Sequence, residues 1–466
     1  MTEENIEITT FSQFMSSFET LLVKALPTVI GMELSILTTL VNMYFIIGRD
    51  NVIGIGFGTI YVNLLVKGLL LCMNSSITTI MTRQFKQHQY VKIGISYQRS
   101  LLLNGVFLIV ITPAIAGSTY ILSQFNIPII VAQKAIQYVW EMLPALYAFT
   151  YFDCTKNYLK SMGIDYPVLV IHTFTTILHI YLSKQFIVYM DLGIRGAAWC
   201  KNFSSCASTL LLYIYIFKYQ QNHPAWIEWD RRTLKSIFQF SYGLLHSSFK
   251  NYLQNVSFEI MGFVALWLTY EEFSVCVCLI FTAQALYMFF LGVAMTAASR
   301  IRRLFKDQEY EKGRKHVWHY LATSLMTGIL LSFLLVVFKK QWIALFYMDN
   351  ETSLILSNNL KLFLPTLTIG GMQIMLANLL GALGEVTFTI NVQLLCQYAI
   401  GIGTGIYWGY YENYGLKGLW FGWACGLSVS ALVLFLRLIM LNWEKSATQM
   451  FIEVREETNQ LKQSIN

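Results

Sequence analysis

Charge is what this chain has least of. Only 13% of its 466 residues are Asp, Glu, Lys or Arg, about half the share that a soluble surface carries. The scarcity runs the whole length rather than in one block, so most of the chain is not built to face water. Paired cysteines are also missing: none of the 8 forms a CxxC pair or sits at zinc-finger spacing. They read as small apolar fillers, and neither disulfides nor structural metal is expected. No P-loop, metal cluster or nucleophile–base pair stands out, which argues against an enzyme, against direct ATP drive and against a bound cofactor. Alternation at barrel spacing is absent, which disfavours an outer-membrane barrel. The start, Met1-Thr2-Glu3-Glu4-Asn5, is acidic and polar, so no cleaved signal peptide is expected. The net charge of +7 lies mostly in loops and gives no sign of a nucleic-acid partner.

What fills the chain instead is apolar: 55% of residues are hydrophobic and the mean hydropathy is +0.51. Twelve apolar stretches follow one another between residues 17 and 443, each at or beyond the ~20 residues that span a hydrocarbon core. In lipid every backbone amide needs an internal partner, so the expected fold is all-α and polytopic. Lys and Arg gather in alternate links: Arg83, Lys86, Lys92 and Arg99 after the second stretch, then Lys156 and Lys160, then Lys218, Arg231, Arg232 and Lys235, then Arg300 through Lys315. By the positive-inside rule these links and both termini face the cytoplasm.

The two halves resemble each other. Arg83-Gln84-Phe85-Lys86 returns as Arg303-Leu304-Phe305-Lys306 at an offset of 220, Leu143-Pro144 as Leu364-Pro365 at 221, and Gly193-Ile194-Arg195-Gly196 as Gly415-Leu416-Lys417-Gly418 at 222. A six-helix repeat starts and ends on one side, so the copies are parallel, a common transporter plan. The expected division is a cytoplasmic segment 1–16, a six-helix lobe 17–218, a compliant cytoplasmic linker 219–235, a second lobe 236–443 and a cytoplasmic tail 444–466. The tail reads as an exposed amphipathic or partly disordered segment.

Several segments carry a family likeness. Ser75, Ser76, Thr78 and Thr79 lead to Gln84; Tyr97-Gln98-Arg99-Ser100, Tyr158 through Gly163, Gly193 through Ala198, Phe258-Glu259, Gly292 through Ile301 and Gly415 through Trp420 follow in order. In order and spacing they resemble the MATE (multidrug and toxic compound extrusion) family, in particular its eukaryotic members, over nearly the whole chain. The link after the second stretch, Thr82-Arg83-Gln84-Phe85-Lys86-Gln87, does not fit the major facilitators. The resemblance implies an antiporter exporting small organic, often cationic, compounds in exchange for protons or sodium ions. It would act as a monomeric unit in the plasma membrane or an intracellular vesicle membrane. Two other readings stay open: a lipid-linked oligosaccharide flippase with a basic cavity, to which Lys67 and Lys250 would contribute, and a transport-inactive subunit that keeps the fold.

An ionisable group inside a bilayer pairs, protonates or faces water, and one carboxylate can choose between an ion and a cargo. Glu259, mid-stretch with no acid or base within a helical turn, is the leading coupling candidate. The resemblance places a cation-exchange carboxylate there. Glu33 is the substitute, with a capping or snorkelling role equally open. Asn42 stands where the family often has Asp, Gln254 where it expects another Glu, and the acid often found near Gly370 is missing. Asn and Gln cannot trade a proton at neutral pH. Lys67 is mid-stretch, where an unpaired buried lysine would deprotonate or find a carboxylate. His179, with His172 among threonines, is either a relay or a hydrogen-bonded structural residue. Asn42, Lys67, His179 and Gln254, together with Tyr287, which precedes a break expected at Gly292, Gln373 and Asn378, are the candidates for the substrate cavity. Asp153, three residues from Lys156, reads as a local ion pair.

Overall fold

The computed structural model describes residues 3–116, 128–235, 237–445 and 448. Its long helices group into twelve rods: α1 (Glu3–Phe45), α2 (Arg49–Lys86), α3 (Tyr90–Ala116), α4 (Ile129–Glu141 and Leu143–Ser161), α5 (Tyr166–Tyr189), α6 (Gly193–Tyr219), α7 (Ile237–Asn255 and Ser257–Trp267), α8 (Tyr270–Lys306), α9 (Tyr310–Val337), α10 (Asn350–Ala382), α11 (Val386–Tyr411) and α12 (Gly415–Ile439), with a short helix Lys339–Ala344 between α9 and α10. No strand occurs among the described residues. Nine of the rods are long and apolar enough to cross a membrane on composition and length. The other three are α4, α6 and α7. Two of them are broken, and α6 carries polar residues that lower its hydropathy.

The break in α4 shows how a chain in lipid settles its backbone. Pro144 opens the second piece after Met142 and cannot donate a hydrogen bond. Asn202 of α6 takes over: its Oδ1 accepts from the Ala145 amide at 2.8 Å and its Nδ2 donates to the Glu141 carbonyl at 2.7 Å. A freed backbone pair is thereby satisfied from a neighbouring helix. Glu141 itself accepts from the Trp199 indole at 3.0 Å and lies 3.5 Å from Arg195.

The repeat is visible in the backbone, turn by turn. His88 and Gln308, 220 apart, both take left-handed φ (54° and 61°) where α2 and α8 end. The closing bonds match: the Gln89 amide to the Gln84 carbonyl, and the Glu309 amide to the Leu304 carbonyl, both at 2.9 Å. Gly163 and Gly384, 221 apart, have φ of 79° and 94°. Asp191 and Asn413, and Gly193 and Gly415, each pair 222 apart, are left-handed as well. Non-glycine residues rarely adopt this conformation, so its recurrence at the repeat offset shows that the chain reverses direction in the same way in both halves.

Compactness follows a different line from the repeat. One compact unit comprises residues 34–281 and 343–355, the other 1–33, 282–342 and 356–466. The boundaries fall inside α1, α8, the short helix Lys339–Ala344 and α10. In the first unit Met73, Ile77, Tyr97, Phe152, Tyr158, Leu212 and Leu244 form the core. In the second, α1 contributes Leu21, Ala25 and Val29 to a core with Ala294, Ala297, Phe305, Tyr320, Leu379 and Leu434. Gly292 is no break, because α8 runs through it without interruption. A side chain there would meet the Val29 backbone at 2.9 Å, so its glycine serves close approach of α1.

From Ile227 to Lys235 the linker is hydrogen-bonded to α3. Gln98 of α3 accepts from the Thr233 hydroxyl at 2.7 Å and the Asp230 amide at 3.1 Å, and donates to the Glu228 carbonyl at 2.9 Å. Arg99 donates to the carbonyls of Thr233, Arg232 and Lys235. Asp230 caps the turn Arg231–Thr233 by accepting from the Arg232 amide at 2.7 Å. The hydrogen bonds from Arg232 hold its carboxyl below the usual aspartate range. Most of the tail at 444–466 lies outside the described residues.

Candidate functional site

Two consecutive helices carry polar residues at helical spacing. On α5 they are His172, Thr175, Thr176, His179 and Ser183; on α6 they are Lys201, Ser204, Ser205 and Ser208. Residues three and four apart share one helix face. The opposite faces hold exposed apolar side chains, Phe174, Ile177 and Tyr181 on α5 and Leu210, Ile214 and Phe217 on α6. The pair is therefore apolar towards lipid and polar inwards. Between these stripes and α1, α2 and α4 lies a cleft of about 640 Å³ of atom-free space, open mouth included. Ser35 and Thr38 line it from α1, Lys67 from α2, and Met142, Leu146, Phe149 and Phe152 from α4.

The cleft is basic. The Lys201 ammonium donates to the Thr39 hydroxyl at 2.9 Å and its residue is only 7% exposed. Lys67 lies with its ammonium 4.3 Å from the centre of the Phe149 ring, and no hydrogen bond or ion pair to it occurs among the described residues. No Asp or Glu lines the cleft. Asp153 is buried nearby in the same unit, but Lys156 at 2.5 Å and the amides of Asn74 (2.8 Å) and Asn157 (3.1 Å) occupy it. The local ion pair expected for Asp153 is thus present.

Beside the cleft His179 and Asn42 form a tight knot. The Asn42 amide nitrogen donates to the Ala197 carbonyl at 3.0 Å, which turns its oxygen towards His179 Nε2 (3.1 Å) and Ser183 (3.0 Å). The Thr38 carbonyl, 3.0 Å from the same nitrogen, also needs a donor, so Nε2 carries hydrogen. Nδ1 faces the Ser204 hydroxyl at 3.1 Å. Both side chains are fully buried.

Glu259 is buried at 6% exposure in the second piece of α7, not turned to lipid. Asn63 of α2 reaches its Oε1 at 3.4 Å. Asn63 opens a π turn, Asn63–Lys67, in which Lys67 is the last residue. Such turns are rare, occur mostly as single-turn bulges inside α-helices and are frequent at functional sites. Within this one turn, Asn63 addresses Glu259, the Leu64 carbonyl accepts from Tyr252 of α7 at 2.6 Å, and Lys67 addresses the cleft. Gln254 sits half-buried before the break at Val256 and accepts at its carbonyl from Ser257. Glu33 is half-buried, and no hydrogen bond or ion pair to it occurs among the described residues. Since α1 continues to Phe45, a capping role for Glu33 is ruled out. Lys250 is exposed on α7 and outside the cleft lining.

The candidates of the second half are packed among themselves. Tyr287 is buried and donates to the Thr366 carbonyl at 3.0 Å. Its ring fills the place of a side chain at Gly370, where a Cβ would lie 2.5 Å from its oxygen. Gln373 donates to the Ser430 hydroxyl at 3.4 Å, and Asn378 bonds back to the Ile374 carbonyl at 2.9 Å. The structure gathers Lys67, Asn42 and His179 around one cleft and leaves Tyr287, Gln373 and Asn378 elsewhere. Two participants were not anticipated, Lys201 and Asn63. The spacing of Lys201 with Ser204, Ser205 and Ser208 was the available signal; Asn63 offered none.

A family model described as MatE matches residues 27–183 and 247–406. Protein DETOXIFICATION 29 of Arabidopsis thaliana is 24% identical over 410 residues, covering 86% of this chain and 81% of that protein. Multidrug and toxin extrusion protein 2 of Mus musculus is 22% identical over 402 residues, covering 86% and 68%. Among solved structures, the crystal structure of eukaryotic MATE transporter AtDTX14 aligns with a TM-score of 0.76 at 18% identity, covering 96% of this chain and 100% of that one. At that identity the likeness concerns the fold.

Proposed function

The chain belongs to the MatE family of membrane transporters, and from that premise we propose that it is a secondary active antiporter. It moves a small organic compound across the bilayer in exchange for H+ or Na+, with Glu259 as the coupling carboxylate and both termini in the cytoplasm. The observation that carries the reading is the π turn of α2, whose first residue touches Glu259 and whose last lines the cleft. An ion can drive a cargo only if its binding changes a structure that the cargo also senses. Protonation or sodium binding at Glu259 changes what Asn63 donates to, and a shift of that turn moves Lys67 with it. The family likeness suggests cationic cargo, but two ammonium groups in this cleft repel a cation there.

The test is flux in proteoliposomes of the purified full-length chain under an imposed pH or sodium gradient, with ethidium and p-aminohippurate as a cationic and an anionic probe. A gradient should speed the flux of one probe severalfold, and Glu259→Gln should remove that acceleration. Flux of both probes indifferent to both gradients would refute the antiporter.

A further inference from the structure

We propose that the cleft of the first half is a binding site for a small amphipathic organic anion, its carboxylate or phosphate between Lys67 and Lys201. The apolar body would lie against Leu146 and Phe149. As a statement about cargo, this rests on the transport reading above; as a statement about binding, it stands on the cleft alone.

Three observations carry it. First, the cleft holds two ammonium groups and no carboxylate. Lys201 has one neutral hydroxyl partner and Lys67 has an aromatic face, while Asp153, the buried acid nearby, is occupied by Lys156 and two amides. The other titratable groups around the cleft, His172 and His179, bring no negative charge. Lys201 is buried and Lys67 half-buried; an ammonium taken from water without a counterion is costly, and an anion entering between them supplies what the protein does not.

Second, the fold does not need these lysines. The repeat offsets of 220, 221 and 222 pair Lys67 with Tyr287, Phe149 with Gly370 and Lys201 with Trp423. The contact between Lys67 and the Phe149 ring thus has its counterpart in Tyr287 seated on Gly370. Both cations of the first half are replaced by buried aromatic residues in the second. One half closes the position with rings; the other keeps it open and charged.

Third, the walls differ in kind. Met142, Leu146, Phe149 and Phe152 are on one side and the hydroxyls of α5 and α6 on the other. Apolar walls with a few fixed charges select an acid with an apolar body over a bare inorganic ion.

Equilibrium binding to the purified full-length protein tests the proposal, with p-aminohippurate and phenyl phosphate as anions, hippuramide as the neutral control, and nanodiscs with and without phosphatidic acid. Saturable binding of an anion is expected, at least about tenfold weaker in Lys67→Met and in Lys201→Met, as loss of a charge-assisted bond implies. Without anion, both variants should unfold at the same or a higher temperature than the parent, which purely structural lysines would not allow. Lys67→Gln serves if the Met variant does not purify. Lysine-dependent binding of phosphatidic acid without binding of the soluble anions assigns the site to a lipid headgroup. Equal affinity in parent and variants, or equal binding of hippuramide, overturns the proposal. Anion binding without any gradient-driven flux would remove the transport reading and keep the site; gradient-driven ethidium flux without anion binding would do the reverse.

Discussion

At Gly370 a single missing side chain accounts for a departure from the family pattern. The acid expected nearby has no room, because the Tyr287 ring occupies the space that even a Cβ would need. Gly370→Ala should therefore destabilise the protein by about 1–3 kcal/mol through overpacking. Combining it with Tyr287→Ala should cost clearly less than the sum of the single changes, the mark of residues in contact. Thermal unfolding in detergent reads both; strict additivity would mean that the two do not meet. Asn42 is a second case. Asn42→Ala strips the Ala197 carbonyl and Ser183 of a partner and loosens His179, at a cost of about 1–2 kcal/mol. An unchanged unfolding temperature would show that the knot is not holding α1 against α5 and α6. Neither outcome was readable in the chain, where Asn42 is only an absent acid: what a side chain meets 137 or 155 residues away leaves no trace in local spacing. That Glu259 would stand out was legible because a lone carboxylate in an apolar run must pair, protonate or face water, and it is indeed buried beside Asn63. Lys201 was overlooked because it stands near the start of its helix, among small residues, where a lysine can pass for an interfacial one.

Elements were read more surely than residues. Twelve apolar stretches became twelve rods, since in lipid hydropathy and helix are nearly the same statement. The hidden information was in the faces. The polar stripes of α5 and α6 are ordinary helical periodicity turned inside out, and they mark the cleft as soon as both helices are considered together. Breaks were harder to foresee: α4 stops at Met142 because of Pro144, yet α10 runs straight through Pro365, the repeat equivalent. The partners of the linker were not foreseen, because polar composition signals exposure and says nothing of what a segment bonds to. Gln98→Ala should release it, and hydrogen exchange at the amides of Asp230 and Thr233 should become faster while the rest of α3 keeps its protection. In the parent, the Asp230 carboxyl is depressed below the ordinary aspartate range. The cap is therefore complete above that range and lost only as pH falls through the lower, folded-state value. Exchange at the Arg232 amide, followed against pH, checks this; loss of protection already at pH 5 would contradict it.

For the whole molecule, three short matches at offsets of 220, 221 and 222 announced a duplication, and left-handed residues recurring at the same offsets confirm it in the backbone. Duplication makes the differences between the halves informative. The first half keeps two lysines and an open cleft where the second has Tyr287 and Trp423, and the first half's α2 also meets Glu259 through Asn63. Coupling in this account is asymmetric, carried by one turn of one helix. The most direct test is linkage between the ion and the cargo at equilibrium: affinity of p-aminohippurate for the purified protein, measured across pH and sodium concentration in the parent and in Glu259→Gln. The account predicts that one of the two ions shifts the affinity of the parent by about 5-fold or more and that Glu259→Gln no longer responds to it. An ion response of equal size in both proteins would contradict it.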